Sequence, residues 1–204
     1  MTKSSYYKRE YRQNPKIQKQ KQGVNTLFAK LAKRQKYKGK CLIIDSFKEN
    51  TRKSLTSQAK YFDEEIITID RESKLVDTNH FKMDLDKHLS QTNDLYHDVF
   101  ADTVNSPKNS IQQTKDLFQR QLLSLGGTFA ITCCLRGITS KQFSYFQPQL
   151  FRLANKTGYK LNPINIPAYL RMNKKSTYKI KSNMSDNGAY KKTGRTVTAF
   201  YKVS

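Results

Sequence analysis

Four short apolar runs each end at an aspartate, and carboxylates placed in this way can bind the polar groups of a ligand. The runs are KCLIID, which ends at Asp45, EIITID at Asp70, HFKMD at Asp84 and HDVFAD at Asp102. A carboxylate that closes the second strand of a nucleotide-binding sheet can accept hydrogen bonds from both hydroxyls of a ribose. Asp70 is therefore the predicted ribose ligand, Asp84 is predicted to face an adenine amine, and Asp102 to lie by the reactive end of the ligand. Aspartate also follows strands because loops are polar and because it caps helices, so a structural role stays open for each acid.

The elements that position these acids are predicted to be strands alternating with helices. Continuous apolar runs suit strands that are buried on both faces of a parallel sheet. Such an order predicts an α/β fold with a mostly parallel sheet, helices on both faces, and an antiparallel strand pair at the C-terminal edge. Four helices are predicted: residues 26–36, capped by Asn25; a helix capped by Asn50; residues 110–125, ended by Gly126-Gly127; and residues 139–157, broken or kinked at Pro148. The last predicted strands are residues 128–135 and Thr196–Val203, the second of which is expected to pair with residues 178–180.

Positive charge is concentrated at the two ends of the chain. The formal net charge is +22; residues 1–40 hold 13 lysines and arginines against one acid, and residues 171–204 hold nine against one. Residues 1–23, with almost no aliphatic side chains, are predicted to be a disordered or partner-ordered basic arm on a domain that spans 24–204. Cationic ends with interleaved tyrosines favour nucleic acid as the partner. The predicted contacts are Lys8, Arg9, Arg12, Lys16, Lys19, Lys21, Lys33, Arg34, Lys174, Lys175, Lys191, Lys192 and Arg195.

The remaining composition argues against several classes of protein. The N-terminus has no apolar signal core and no run approaches the length of a membrane span, so we expect an intracellular protein, in the nucleus or another nucleic-acid-rich compartment, and not a secreted one. The three cysteines, Cys41, Cys133 and Cys134, lie in apolar stretches and are predicted to be buried free thiols. The three histidines form no ligand motif, so no metal site is predicted.

The order CLIIDS, EIITID, MDLD, YHDVFADT, GGTFAITCCLRG and a C-terminal strand pair, over about residues 25–204, resembles the class I S-adenosylmethionine-dependent methyltransferases. The resemblance implies a Rossmann-like three-layer sandwich that binds S-adenosylmethionine. It implies that Asp45 and the turn 46–51, with Ser46 and Asn50, replace the glycine-rich first motif. It also implies Asp70 at the ribose, Asp84 near adenine, and Asp102 with Thr103 at the fourth motif.

The sequence departs from that family at its motifs. The first loop, DSFKENT, contains no glycine, and the Asp/Asn-Pro-Pro-aromatic, Pro-Cys and Lys-Asp-Lys-Glu signatures of particular methylation chemistries are absent. Two functions follow as expectations. One is a methyltransferase that acts on or binds nucleic acid, in which Asp102 orients or deprotonates the acceptor and Asn105 assists. The other is a catalytically inactive protein of the same fold that serves as a nucleic-acid-binding or structural subunit.

Overall fold

A computed structural model describes residues 15–33, 39–45, 49–71, 79–103, 105–134, 145–164, 190–193 and 196–204. Strands and helices alternate along the first two thirds of the chain, as the apolar runs predict. The strands are β1 (Lys40–Ile44), β2 (Ile66–Ile69), β3 (His80–Phe81), β4 (Tyr96–Asp102), β5 (Leu123–Cys134), β6 (Leu161–Pro163), β7 (Tyr190–Thr193) and β8 (Thr196–Val203).

The strands form one sheet in the order β3-β2-β1-β4-β5-β8-β6, with β7 also paired to β8. Strands β3, β2, β1, β4 and β5 are parallel, whereas β8 runs antiparallel to β5, β6 and β7. The chain leaves β1 for β2 on one side and later returns to β4 on the other. The strand order therefore reverses at the boundary between β1 and β4, where doubly wound sheets bind ligands.

Helices cover both faces of the sheet and give the three-layer arrangement predicted from the sequence. The helices are α1 (Pro15–Lys33), α2 (Asn50–Ser54) continued by a π-helical turn (Leu55–Ala59), α3 (Leu85–Gln91), α4 (Pro107–Gln113), α5 (Lys115–Gln119) and α6 (Phe146–Asn155), with a 3-10 turn at Asp63–Glu65. Among the described helices, none is long and apolar enough to cross a membrane.

Alternate side chains of the central strands feed two separate cores. On one face α1 and α2 pack on the sheet, and the rings of Phe28 and Phe100 lie 5.1 Å apart. On the other face α3, α5 and α6 form the larger core, in which Phe118 meets Phe129 edge-on at 5.5 Å. Burial of both sheet faces accounts for the continuous apolar runs.

Helix α1 is longer at its N-terminus than the sequence predicted. It begins at Pro15 and contains Asn25, which was the expected cap, so the part of the predicted arm from Pro15 to Gly23 is helical. Proline is tolerated in the first helical turn because its missing N–H would have no partner there. The Lys/Gln composition that suggested disorder is compatible with helix, because both residues have good helical propensity. Residues 1–14 lie outside the described residues.

The prediction of a single helix over 110–125, ended by glycines, was wrong. Helix α4 ends before Thr114, whose hydroxyl donates to the Ser110 carbonyl at 3.1 Å, and α5 follows it. Gln121 has a left-handed backbone with φ of 54°, and β5 then begins at Leu123. The apolar spacing of the helices continues into the strand, so periodicity alone did not locate this boundary.

The glycine pair Gly126-Gly127 lies inside β5, at an irregularity in its pairing with β4. Tyr96 pairs with Leu123 but Asp98 pairs with Thr128, so β5 carries extra residues here. A Cβ on Gly127 would stand 1.7 Å from the carbonyl oxygen of His97 on β4, so only glycine fits. The buried carboxylate of Asp98 accepts the Thr128 N–H at 2.9 Å and the hydroxyl of Tyr61, which holds the irregular segment in place.

Two further expectations near the C-terminus are corrected in detail. Helix α6 begins at Phe146, and Pro148 lies in its first turn, where it does not break the helix; residues 139–144 are outside the described part. The strand Thr196–Val203 is confirmed, and Val197, Ala199, Tyr201 and Val203 all enter the larger core. Its described partners are β5, β6 and β7, while residues 178–180 lie outside the described residues.

Candidate cofactor and substrate cleft

The predicted acids meet at the carboxyl edge of the sheet. Ile44, Ile69 and Phe81 are aligned across β1, β2 and β3, so the residues that follow these strands are neighbours. The Asp45 N–H donates to the Ile69 carbonyl at 3.3 Å, and the Asp70 N–H donates to the Phe81 carbonyl at 3.1 Å. These bonds extend the parallel ladder by one residue and fix both aspartates at the same edge.

Asp45 is a helix-capping residue in this structure. Its side chain is buried, and one carboxylate oxygen accepts the N–H groups of Thr51 at 2.7 Å and Arg52 at 3.0 Å. The first N–H groups of a helix have no partner within the helix, and an anionic acceptor there is stabilising. Asp45 thus supplies the cap across the turn. The predicted cap, Asn50, is instead the first helical residue, and its carbonyl accepts the Ser54 hydroxyl at 2.9 Å.

Glu49, the residue immediately before α2, has a backbone conformation that glycine adopts more readily. Glu49 has φ of 50° and ψ of 36°, the left-handed conformation, and its side chain makes no capping bond to the helix. Glycine is the residue that usually takes this conformation, because a Cβ is unfavourable there. Ser46 lies outside the described residues.

Asp70 and Asp84 stand next to the end of β2 and are more accessible than Asp45. Asp70 is partly exposed immediately after the strand. Asp84 precedes α3 but makes no capping bond with its side chain; its carboxylate instead lies 3.1 Å from Nε of Arg71. Both members of that ion pair are exposed, so it contributes little to stability. A partly exposed carboxylate at the end of β2 fits the hydroxyls of a ribose.

Asp102 ends β4 on the other side of the switch point and pairs with helix α1. Its carboxylate lies 3.4 Å from the ammonium of Lys21, and the two side chains are 19% and 33% exposed. Sequence reasoning placed Lys21 in a basic arm and did not predict this contact. The chain separation of 81 residues gives no sequence signal for it.

Thr103 and Asn105, predicted at the same loop, make bonds that hold the loop to the protein. The Thr103 hydroxyl donates to the Thr132 carbonyl on β5 at 2.9 Å and meets the Ser110 hydroxyl at 2.6 Å. The side-chain amide of Asn105 donates to the Gln113 side chain at 2.7 Å. The backbone carbonyl of Asn105 accepts the Cys134 N–H. In this arrangement they position the loop after β4, and Asp102 is the acid of this set at the cleft.

Arg52 is a structural residue of the site that sequence reasoning missed. It is 5% exposed, and its guanidinium makes two bonds of 2.8 Å to the Asp63 carboxylate and one of 3.1 Å to the Thr68 hydroxyl on β2. The hydrogen bonds from Arg52 lower the pKa of the Asp63 carboxyl. Arg52 therefore links helix α2, which Asp45 caps, to strand β2, which Asp70 follows. The one sequence signal for this ion pair was the acidic segment Asp63–Glu65, which begins eleven residues after Arg52.

The predicted nucleic-acid contacts are only partly within the described residues. Lys16, Lys19, Lys21 and Lys33 lie on α1, where Lys19 is exposed, and Lys191 and Lys192 lie on β7, which contacts α1. The described elements α1 and β7, one from each cationic end, therefore contact each other, and β7 pairs with the start of β8, which is paired with the end of β5. The other predicted contacts, Lys8, Arg9, Arg12, Arg34, Lys174, Lys175 and Arg195, lie outside the described residues.

Cysteine thiols and histidine rings, the side chains that bind zinc most often, form no candidate metal site in the described part of the chain. Cys41 and Cys133 are buried free thiols, as predicted, and burial raises the pKa of Cys133 to about 12, while Cys134 is half-buried. Within the described ranges no group of three or more His, Cys, Asp or Glu side chains could hold a metal ion.

Comparison with known proteins gives no match by sequence and clear matches by structure. No family model matches the chain, and no curated protein matches its sequence. The plantazolicin methyltransferase BamL, crystallised with a triazolic desmethylPZN analogue and SAH, is 12% identical with a TM-score of 0.54, over 97% of this chain and 89% of that one. A Clostridium thermocellum protein named as an rRNA methylase is 11% identical with a TM-score of 0.51, over 86% and 92% of the two chains. The plantazolicin methyltransferase BpumL, with a pentazolic analogue and SAH, is 15% identical with a TM-score of 0.51, over 97% and 88%.

Identities this low establish the fold and not the activity. The strand order, the antiparallel β8 and the helices on both faces agree with these matches over nearly the whole described chain. The chain therefore has the fold of the class I S-adenosylmethionine-dependent methyltransferases.

Proposed function

We propose that the protein is an S-adenosylmethionine-dependent methyltransferase that acts on nucleic acid. The observation that carries the proposal is the pair of partly exposed carboxylates, Asp70 and Asp102, on either side of the switch point of a methyltransferase-type sheet. Ligands of doubly wound sheets bind at this position. In this proposal Asp70 binds the cofactor ribose and Asp102 orients or deprotonates the methyl acceptor.

The described residues fit the adenosine half of the cofactor. Asp70 offers an accessible carboxylate, and Asp84 stands beyond it with one carboxylate oxygen on Arg71. Glu49, with its left-handed backbone, precedes α2 at the same edge of the sheet. When bound, S-adenosylmethionine supplies an activated methyl group, so the tasks left to the protein are alignment of the two reactants and exclusion of water.

Nucleic acid is proposed as the substrate class because of the charge around the cleft. Asp102 at the cleft pairs with Lys21 on α1, and α1 contacts β7; these two elements belong to the two cationic ends of a chain of net charge +22. Such a rim gains free energy from counterion release on a polyphosphate. The Clostridium thermocellum protein named as an rRNA methylase has this fold, which agrees with the proposal. An intracellular location rich in nucleic acid follows from it.

The test is binding of S-adenosylmethionine measured by titration calorimetry. We expect the wild-type protein to bind, and Asp70→Asn to bind about 10- to 100-fold more weakly, because hydrogen bonds to a charged group contribute about 1.5–3 kcal/mol. Asp116→Asn, a substitution of a partly exposed acid on α5, is the matched control and should bind as the wild type does. Absence of binding at millimolar cofactor rejects the enzyme.

The second candidate is an inactive protein of the same fold that binds nucleic acid as a structural subunit. The specific observation in its favour is that the functional groups near the first loop and the fourth strand are already engaged, Asp45 by the N-terminus of α2 and Asp102 by Lys21. This candidate predicts salt-dependent affinity for nucleic acid without cofactor binding. Salt-independent affinity would contradict both candidates, since both rely on phosphate contacts.

A further inference from the structure

The ion pair between Lys21 and Asp102 joins the basic helix to the acceptor side of the cleft. The two charged groups lie 3.4 Å apart, longer than the usual 2.7–2.9 Å of a charge-assisted hydrogen bond. Neither side chain is fully buried. A partly exposed pair of this kind changes an equilibrium by only about 1.4- to 5-fold, so a stronger anion can replace the aspartate.

The position of Lys21 on α1 makes it accessible from outside the domain. Helix α1 is anchored by buried side chains from Val24 to Ala32, whereas Lys19 and Gln22 are exposed. Gln22 reaches back to the Ser54 hydroxyl at 3.2 Å. Lys21 therefore lies about one turn before the buried part of α1, with its side chain 33% exposed and within reach of Asp102.

Strand β7, whose sequence includes Lys191 and Lys192, contacts the same helix. Its backbone pairs Lys191 with Thr198 and Lys192 with Val197 on β8, and β7 contacts α1. The start of β8 is in turn paired with the end of β5, which is the carboxyl edge of the sheet. A polyphosphate that follows the rim from β7 to α1 would thus pass Lys21 next to Asp102.

From this geometry we infer that Lys21 is a switchable phosphate contact: a backbone phosphate of the bound nucleic acid replaces Asp102 as its partner. The inference rests on the nucleic-acid part of the proposed function and deepens it. The exchange has two consequences. It releases the Asp102 carboxylate when substrate is bound, and it places the nucleotide that carries that phosphate beside the released acid.

The experiment is a double-mutant cycle on nucleic-acid affinity, measured without cofactor. Fluorescence anisotropy of a labelled single-stranded oligonucleotide gives the dissociation constants of the wild type, Lys21→Gln, Asp102→Asn and the double variant. We expect Lys21→Gln to weaken binding and Asp102→Asn to strengthen it. The gain from Asp102→Asn should be about 1.4- to 5-fold larger with Lys21 present than in the K21Q background, because the partly exposed pair accounts for that factor.

Two controls separate the exchange from a general change of charge. The same cycle with Lys19→Gln, on the same helix but exposed and two residues away, should be additive. Lys21→Gln should also lower the slope of log affinity against log salt by about 0.7, the value for loss of one phosphate contact on a single strand. Asp102→Asn should leave this slope unchanged, and Lys21→Arg should restore both affinity and slope.

Additive effects of Lys21→Gln and Asp102→Asn overturn the inference, because Asp102 would then repel phosphate only at long range. An unchanged salt slope in Lys21→Gln overturns it as well. Failure of the enzyme proposal is read separately from the cofactor titration. If the effects of Lys21→Gln and Asp102→Asn are coupled but the protein does not bind S-adenosylmethionine, the phosphate contact is supported and the methyltransferase proposal is rejected.

Discussion

The role of Asp45 leads to a prediction that separates a capping residue from a cofactor ligand. Asp45→Ala removes the acceptor of two backbone N–H groups, at 2.7 and 3.0 Å, in a side-chain environment only 8% exposed. Asp45→Asn is the matched variant, because an amide oxygen can still accept a hydrogen bond while the negative charge is gone. The two variants therefore divide the contribution of the acceptor from that of the charge.

The expected loss follows from the bonds that are broken. Loss of an aspartate cap costs about 0.5–2 kcal/mol of unfolding free energy. A buried donor left without a partner costs about 1–3 kcal/mol, and water can reach these two N–H groups only in part. We therefore expect Asp45→Ala to lose about 2–4 kcal/mol, and Asp45→Asn to lose about 0.3–1 kcal/mol from the missing charge at the helix N-terminus.

Urea unfolding followed by circular dichroism measures both variants. For a domain of this size, 2–4 kcal/mol corresponds to a fall of the melting temperature by roughly 4–16 °C, so thermal melts give an independent reading. Two results would refute the reasoning. One is an Asp45→Ala protein as stable as the wild type but deficient in cofactor binding, and the other is an Asp45→Asn protein destabilised as much as Asp45→Ala.

Two further predictions concern stability. Gly127→Ala should lower the free energy of unfolding by about 3 kcal/mol or more, since its Cβ would meet the His97 carbonyl oxygen at 1.7 Å. Gly158→Ala is the control: it has φ of 87° and open space around it, so it should lose only about 1–2 kcal/mol through backbone strain. Equal losses of the two variants in urea unfolding would refute the clash at Gly127. Burial lowers the pKa of His88, so the unfolded chain binds the proton more readily and the contribution of His88 is lost as the pH falls below its ordinary pKa of 6.5. The stability of His88→Asn should therefore depend less on pH between about 7 and 5 than that of the wild type, and parallel pH curves would contradict the assignment.

The parallel half of the fold could be predicted because its strands are buried on both faces. Runs such as Leu42-Ile43-Ile44 have no polar interruption, and each ends at an acid that fixes its boundary. The α4–α5 region was harder, since the break at Thr114 and the left-handed Gln121 leave the apolar spacing unchanged. The start of α1 at Pro15 was not located, because a local sequence of lysine and glutamine is compatible both with a disordered arm and with a helix.

The candidate site was predicted in its positions but not in its contacts. Element order alone placed four acids at one edge, because the carboxyl ends of parallel strands must meet there. It could not assign partners, since Asp45 is held by N–H groups six and seven residues later and Asp102 by a lysine 81 residues earlier. Arg52 illustrates the same point, because a charged residue is buried only where several acceptors converge, and that convergence is a property of the folded chain.

The different roles of the strand-end acids follow from what each next segment does. A helix begins six residues after β1, and its N–H groups engage Asp45 completely enough to bury it. A helix also begins five residues after Asp102, but the hydroxyl of Ser106 caps it by accepting the Asn109 N–H at 3.4 Å, and the Asp102 carboxylate stays partly exposed. In the described residues no helix begins at that distance from Asp70, which is partly exposed as well. Partly exposed acids at the centre of the edge disfavour phosphates, whereas in the proposed function the basic residues of α1 and β7 attract them. On the proposed function, this division of charge would hold a nucleic-acid backbone at the rim. The base would then be the part of the nucleotide that can enter the cleft. Ribose-phosphate analogues without a base should therefore bind the rim without competing with the cofactor.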